Sequence, residues 1–319
     1  MALATKLRID ADLELDERPL PMPKPRLRLV PKPGALQPAP FLKWVGGKGK
    51  LLRALRPLLP QGRFRYAEPF VGGGAMFFDL HAQNQTHHAL LCDAGRDLVG
   101  AYKVVRDALP ELLEALQLHE DRYLQGTEEK RALYFYAVRN RHPSEHAMSD
   151  VERAARMLFL NRTCFNGLWR ENRAGKFNAP HGRYANPGIV QAEKLQAASQ
   201  ALQLADIRHA DFRALPELVQ DQAIEFVYLD PPYHPLNVTS SFNAYSGGQF
   251  SAKAQSDLAD VCTRLDRMGV RFLLSNSDCP LIRDLYRGFN IGTIRAARSI
   301  NCQGSGRGEI SEVVVRNYG

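Results

Sequence analysis

The chain has 319 residues, enough to bury a full core in one large domain with an insertion or a second lobe. Its 42 Lys and Arg against 34 Asp and Glu leave a net charge of +8, which favours a polyanionic partner, nucleic acid being the usual one. Five cysteines, at 92, 164, 262, 279 and 302, form no pair at metal-ligand spacing, and their odd number argues against a disulfide framework. Neither a bilayer-spanning apolar run nor the apolar stretch of a signal peptide is present, so the reading is a cytoplasmic protein without a membrane association. The histidines are scattered, His87-His88 lacks a helical i,i+4 partner, and no metal site is expected.

Residues 1–40 read as a tail. From Arg18 to Pro40 prolines alternate with Lys and Arg, and a residue without an amide donor disfavours regular structure, so an extended, mobile segment is expected. Order is expected from Phe41. Lys48 to Leu59 has helical periodicity with Pro60 just past its end. Phe64 to Glu68 reads as a short strand, Gly72 to Leu80 as a glycine turn entering a helix, and Ala89 to Leu91 as a second strand ending at Cys92-Asp93. Strand, glycine turn, helix, strand and acidic residue is the opening of a nucleotide-binding α/β sheet. The pattern then becomes helical from about Asp97 to Leu160, including Leu109–Leu118 and Val151–Leu160. Thr163 to Tyr184 is rich in Asn, Gly, Arg and aromatics, with Gly167 and Gly175 as turn signals. Helical character returns from Ile189 to Leu204. The α/β alternation then resumes with strands at Ile224–Leu229, Val270–Leu274 and Ile310–Val315 and a helix at Ala252–Met268. The fold class is therefore α/β, with one catalytic domain, 41–96 and 205–319, split by a basic, mainly helical insertion, 97–204.

Three segments carry chemistry. In Glu68-Pro69-Phe70-Val71-Gly72-Gly73-Gly74, glycines at a strand end let the backbone approach a ligand and leave amides free to meet it. Asp93 follows about twenty residues on, where an acidic side chain can bind ribose hydroxyls. By itself this pattern fits a dinucleotide enzyme nearly as well as a methyltransferase, or a purely structural turn. In Asp230-Pro231-Pro232-Tyr233, a carboxylate stands at a strand end, two prolines fix the backbone and remove two donors, and a tyrosine offers an aromatic face. That set suits a planar group bearing an NH2: Asp230 and the Pro231 carbonyl accept its hydrogens and the Tyr233 ring stacks beneath it. The alternative is a rigid strand-end turn. In Lys43-Trp44-Val45-Gly46-Gly47-Lys48, the lysine precedes Gly49 rather than Ser or Thr and the loop is short, which argues against a phosphate-binding P-loop. Trp44 between lysines suits an adenosine or nucleic-acid pocket. Core packing of Trp44 is the competing reading, although a cation at a helix start, as Lys48 is, is unfavourable to the helix dipole.

Together these residues resemble the Dam-like DNA adenine-N6 methyltransferase family, the D12 class. Further matches in the family's order are Asn161-Arg162 leading into Phe165-Asn166-Gly167-Leu168-Trp169-Arg170, Gly175-Lys176-Phe177-Asn178-Ala179-Pro180 followed by Gly182-Arg183-Tyr184, and Arg298-Ser299-Ile300-Asn301. The resemblance covers about residues 41–318 and leaves the tail outside. It implies a Rossmann-like sheet binding S-adenosylmethionine, with the insertion as DNA target-recognition domain. By motif, Trp44, Lys48, Glu68, Phe70, Gly72, Gly74, Asp93 and Asp230 fall at cofactor-site positions, and Asp211, through Asp211-Phe212, at a segment that meets the cofactor adenine in some relatives. Lys43, Phe165, Asn166, Leu168, Arg170 and Pro180 fall at DNA-contact positions. Phe165 stands where a close relative has a tyrosine that enters the base stack. Lys43, Leu168, Arg170 and Pro180 match readers of GATC, and Arg can bind guanine O6 and N7 while Leu and Pro pack on a thymine methyl. Arg162, Arg173, Lys176 and Arg183 suit phosphates.

The implied reaction needs neither covalent nucleophile nor metal: a target adenine is flipped from duplex DNA onto Asp230, Pro231 and Tyr233, and its amino nitrogen takes the methyl group. Cytosine-N4 methylation, a catalytically inactive DNA-binding relative and an NAD-dependent oxidoreductase are the competing readings. A monomer is the expected state.

Overall fold

The computed structural model describes residues 37–172, 174–235, 250–297 and 309–319. The tail up to residue 36, Arg173 and the Arg298–Asn301 motif, on which expectations were placed above, lie outside the described residues.

In chain order, a helical turn at Lys48–Lys50 leads into α1 (Leu52–Leu55), followed by a second turn at Arg56–Leu58. Then come β1 (Phe64–Glu68), α2 (Ala75–Ala82), β2 (Thr86–Asp93), α3 (Arg96–Asp107), α4 (Leu109–Leu124), α5 (Glu128–Asn140), α6 (Asp150–Thr163) and α7 (Ala192–Leu202). The second half holds β3 (Ala205–His209), α8 (Leu215–Asp221), β4 (Phe226–Leu229), α9 (Ala252–Arg267), β5 (Arg271–Ser277), α10 (Pro280–Leu285), β6 (Asn290–Ala297) and β7 (Glu309–Arg316). The strands form one seven-stranded sheet in the order β3-β2-β1-β4-β5-β7-β6. β1 to β5 run parallel and β7 is antiparallel to both β5 and β6. This is a mixed α/β, mostly parallel, Rossmann-like sheet. The chain order reverses between β1 and β4, and an open α/β sheet binds ligands at the carboxyl ends of the strands beside such a switch point.

The central strands are apolar on both faces, as a parallel sheet covered on both sides requires. Phe226 and Tyr228 of β4 point into one core, with Phe64 and Tyr66 of β1 and Leu273 of β5. Val227 and Leu229 point into the other, with Phe272, Leu274 and the α9 residues Leu258, Cys262 and Leu265. The first core continues without a break into the helical region: Leu98 and Val105 of α3, Leu112 and Leu116 of α4, and Leu158 and Leu160 of α6 belong to it. Helix α6 starts with a capping box, Ser149 and Glu152 each bonding the other's backbone N–H, and is buried from Ala154 to Asn161. Its C-terminal end delivers Asn161 and then the Phe165–Arg170 loop.

Four details differ from the sequence-based expectation. The segment 48–59 is three short helical pieces rather than one helix, and Pro57, which lacks an amide donor, stands at the start of the third. The strands are longer than their apolar cores: β2 reaches back to Thr86 and β5 onward to Ser277. The helix of 189–204 is confined to 192–202. Strands β3 and β6 and helices α8 and α10 have no counterpart in the sequence reading.

Candidate active site

The glycine turn leaves the end of β1, and its shape is set by the side chains around it. Gly72 (φ +46°) and Gly74 (φ +69°) both lie in the left-handed region, where L side chains are strained. A Cβ on Gly72 would also come within 2.7 Å of Trp44 Cδ1, and one on Gly74 within 2.6 Å of the Tyr102 hydroxyl. Trp44 therefore packs directly on the turn, and Tyr102 donates to the Gly72 carbonyl at 3.1 Å. Asp93, at the end of β2, closes the other side: Oδ2 accepts from Gly72 N–H at 3.2 Å and Oδ1 from Gly95 N–H at 2.9 Å. A carboxylate has about four acceptor positions, so Asp93 keeps capacity for further hydroxyl donors. Burial raises its pKa, against the stabilising amides of Gly95 and Gly72. Glu68 is buried beneath the turn and accepts from the Tyr66 hydroxyl at 3.0 Å. Burial pushes Glu68 well above the usual carboxylate range, and the nearby Asp230 and Asp93 charges act in the same direction.

Asp230 emerges from β4, the neighbour of β1, and meets Lys48 from the other end of the sequence. The Lys48 ammonium lies 2.9 Å from Asp230 Oδ1, 3.1 Å from the Gly46 carbonyl and 4.4 Å over the Tyr233 ring. The unfavourable position of a cation at a helix start is thereby accounted for: Lys48, only 7% exposed, is turned inward onto a carboxylate. Ser275 Oγ donates to Asp230 Oδ1 at 3.1 Å and lies 3.1 Å from the Tyr228 hydroxyl. Burial raises the Asp230 pKa, while Lys48 opposes that rise by charge and hydrogen bond. The loop after Asp230 is held by buried amides. Gln255 Nε2 donates to the Pro232 carbonyl at 3.1 Å, its Oε1 accepts from Asn276 at 3.0 Å, and Asn276 Oδ1 accepts from His234 N–H at 3.3 Å. Pro231 is buried and Tyr233 half-buried.

Phe70 belongs to an aromatic group with Phe212 and Phe250, with ring centroids 5.4–5.7 Å apart. Asp211 itself is exposed. It caps the helical turn at Phe212–Ala214 by accepting from Arg213 N–H at 2.9 Å, and it pairs with the Arg213 guanidinium at 3.0 Å. Of the Asp211-Phe212 pair, the phenylalanine is the member that joins Phe70.

A second cluster is built where α6 ends. Asn161, fully buried, accepts from Lys43 N–H at 2.9 Å and donates to the carbonyls of Lys43 at 2.8 Å and Gly167 at 3.2 Å. One side chain thus joins the start of the Lys43–Lys48 segment to the Phe165–Arg170 loop. The Lys43 stem packs on Gly167 (φ +65°), whose Cβ would overlap it, and its ammonium lies 5.5 Å over the Tyr184 ring. Asn166, also left-handed (φ +57°), donates its N–H to the Tyr184 hydroxyl at 2.9 Å. Phe165 N–H bonds the Pro180 carbonyl at 2.9 Å, and the Phe165 ring is left 51% exposed. Arg170 donates from Nε to Asn178 Oδ1 at 2.7 Å and from Nη2 to the Asn178 carbonyl at 3.3 Å. Leu168 is half-buried, while Asn166, Arg170 and Pro180 are exposed. Among the cations expected at phosphates, Lys176 pairs with Glu145 and Arg183 lies 3.8 Å from Glu128, both at the surface. Arg162 departs from that expectation: its guanidinium is half-buried and donates to the Pro187 carbonyl at 2.8 Å and the Gly188 carbonyl at 3.0 Å, which makes it a brace for that loop.

Ser275, Asn276, Gln255, Glu312, Tyr228 and Phe250 line this site and were not singled out from sequence. A signal exists for two of them: Ser275 and Asn276 are polar residues closing the apolar run Phe272–Leu274, the mark of a strand end that faces a polar site. Among the described residues no group of three or more His, Cys, Asp or Glu is placed to hold a metal ion, and no helix is long and apolar enough to cross a membrane.

The family model of D12 class N6 adenine-specific DNA methyltransferases matches residues 44–300. The chain is similar to the type II methyltransferase M.MjaIII of Methanocaldococcus jannaschii, at 40% identity over 88% of this chain and 99% of that protein. It is also similar to the type II methyltransferase M1.LlaDCHI of Lactococcus lactis, at 40% identity over 88% of this chain and 95% of that protein. With the DNA adenine methylase of Escherichia coli the identity is 32% over 86% of this chain and 93% of that protein. The match spans both the glycine turn and the Asp230–Tyr233 segment, and the chain belongs to the D12 class of N6 adenine-specific DNA methyltransferases.

Proposed function

We propose that this methyltransferase uses S-adenosylmethionine to methylate N6 of adenine in duplex DNA, acts as a monomer and selects GATC. In this reading 41–96 and 205–319 form the catalytic domain and 97–204 the recognition insertion. The observation that carries the reading is the Lys48 ammonium: an N–H donor is held at once against the Asp230 carboxylate and over the Tyr233 face. That is the pair of contacts a flipped adenine amino group would make.

The chain's residues suit the cofactor. The glycine turn, wrapped by Trp44 and Tyr102, leaves backbone close to the switch point, Asp93 has spare acceptor capacity, and the aromatic group at Phe70 offers rings to a purine. Glu68 and Gly74 shape the turn from below, while Lys48 and Asp230 border it. When bound, S-adenosylmethionine supplies an electrophilic methyl group. Asp230 and the Pro231 carbonyl accept the two amino hydrogens of adenine, which draws its nitrogen lone pair out of conjugation with the ring. Tyr233 carries the base, and Asp230 holds the developing positive charge on the nitrogen. The site thus acts by positioning and electrostatics. Phe165, Asn166, Lys43, Leu168, Arg170 and Pro180 form the DNA-reading surface, with Phe165 filling the gap in the stack. Incubation of the full chain with labelled S-adenosylmethionine and DNA, followed by nucleoside analysis, tests the reading. N6-methyladenine is expected, whereas N4-methylcytosine or unlabelled DNA would overturn it.

Asp93→Ala should raise the KM for S-adenosylmethionine by about 10–100-fold, the worth of hydrogen bonds to a charged acceptor, with DNA affinity unchanged. An unaltered cofactor KM would leave Asp93 with only its backbone bonds to Gly72 and Gly95.

Activity also depends on pH through Asp230, which offers both oxygens as charged acceptors only when ionised and turns one of them into an O–H donor when protonated. Burial raises its pKa, so the acid limb of kcat/KM should lie above the range of an ordinary aspartate. Lys48, Ser275 and Glu312 all act on this carboxyl, Lys48 lowering its pKa and Glu312 raising it. Lys48→Gln removes the lowering charge, and the acid limb should move to higher pH. A limb that stays in place or moves to lower pH would show that another group governs it.

A further inference from the structure

The side chain of Tyr233 is tied at its far end to a strand that none of the assigned site residues occupies. Its hydroxyl donates to Glu312 Oε2 at 2.6 Å, short for an O–H donor on a carboxyl oxygen. Glu312 sits on β7 opposite Ser277 of β5 and Ile294 of β6. Val313 and Val315, its neighbours in the alternation, point into the core on one sheet face, while Glu312 shares the opposite face with Val314 and stands beside the strand end that carries Ser275 and Asn276. A carboxylate in a strand that continues as Val313-Val314-Val315 needs a partner, and the partner it has is the catalytic loop. Burial and the Asp230 and Glu312 charges push the Tyr233 phenol well above its usual range, which keeps it the donor in this bond.

We propose that Glu312 is a positioning residue for methyl transfer: by holding the Tyr233 hydroxyl it fixes the ring as a platform at the angle the flipped adenine requires. The backbone of the loop is already pinned by Gln255 and Asn276, which leaves rotation of the Tyr233 side chain as its main freedom. The Glu312 bond holds the ring by its edge and leaves its faces to stacking partners, the place that the Lys48 ammonium takes over the ring. This proposal rests on the reading above and adds to it a residue from the C-terminal hairpin.

The test is a double-mutant cycle on the full chain, measuring single-turnover methyl transfer with DNA and S-adenosylmethionine saturating. Tyr233→Phe and Glu312→Ala should each slow transfer about tenfold, the rate equivalent of losing one hydrogen bond to a charged group, with the dissociation constants of DNA and cofactor unchanged. The double variant should be no slower than the slower single, because both remove the same bond. Glu312→Gln, which keeps an acceptor, should recover most of the rate. The proposal is overturned by a wild-type rate in Tyr233→Phe or Glu312→Ala, or by losses that multiply in the double variant. Should Glu312→Ala not fold, Tyr233→Phe alone decides, since it leaves β7 untouched. A wild-type protein that places no methyl group on adenine would instead sink the functional reading, and the wild-type measurement reports that separately.

Discussion

Asp230→Ala is expected to slow methyl transfer by on the order of 10²–10³-fold while leaving DNA binding in place. The carboxylate serves two partners. In the proposed reaction it is the acceptor offered to the amino group of adenine, and in the structure it is the counter-ion of Lys48, whose side chain is 8% exposed. Removing it therefore has a catalytic and a structural consequence, and the two must be separated. An ammonium left in a buried site without its carboxylate is costly, about 3–5 kcal/mol for a buried pair, although the Gly46 carbonyl and the Tyr233 face remain to it. Asp230→Ala should accordingly lower the melting temperature. Adding Lys48→Met removes the stranded charge and should restore much of that stability, since an apolar replacement of a buried ion pair is often neutral or better. Activity should not return with it. Melting curves and single-turnover rates on the two variants settle the matter. A folded Asp230→Ala protein with near wild-type turnover would remove the carboxylate from the mechanism.

The parts of this molecule that were legible in the sequence are those where local chemistry and burial agree. β1 was read at its observed limits and β4 nearly so, because central parallel strands are buried on both faces and show up as apolar runs. The glycine turn was legible because two of its residues need φ values that only glycine takes easily. Strand β3 was not. Only Ala205 and Ile207 of its five residues are buried, and an edge strand with polar neighbours does not stand out from the helix end before it. β6 is likewise an edge strand, interrupted by Gly292. In the site, the Asp230–Tyr233 segment announced itself by composition. Its supports Gln255, Ser275 and Glu312 did not, because they arrive from separate elements and gain meaning only from the sheet order that brings them together, as does the pairing of Lys48 with Asp230. Arg162 shows the converse: its motif suggested a phosphate, and its surroundings supply two carbonyls instead.

Arg170→Ala should cost about 1–3 kcal/mol at one base pair of the recognition site and relax discrimination there, with little effect at the other positions. The geometry supports a base-reading role. Asn178 takes the Nε and one Nη2 hydrogen, which fixes the guanidinium plane, and Asn178 N–H returns a bond of 2.9 Å to the Arg170 carbonyl. A plane held on one edge presents the other edge, Nη1 and Nη2, in the fork that matches guanine O6 and N7. The Phe165 N–H bond to the Pro180 carbonyl ties the proposed intercalating ring to one of the proposed base readers. Arg183 provides the contrast. It is exposed, 3.8 Å from Glu128, and such a surface pair holds it only weakly. Its loss should weaken binding to every sequence and reduce the slope of log affinity against log salt by about one unit. Competition binding with single base-pair changes at several salt concentrations distinguishes the two behaviours, and sequencing that detects N6-methyladenine identifies the site itself. GATC is expected from Lys43, Leu168, Arg170 and Pro180 acting together. Methylation at an unrelated sequence would overturn that specificity while leaving the roles of Asp230 and Tyr233 intact, and a uniform loss of affinity in Arg170→Ala would make Arg170 a phosphate contact rather than a reader.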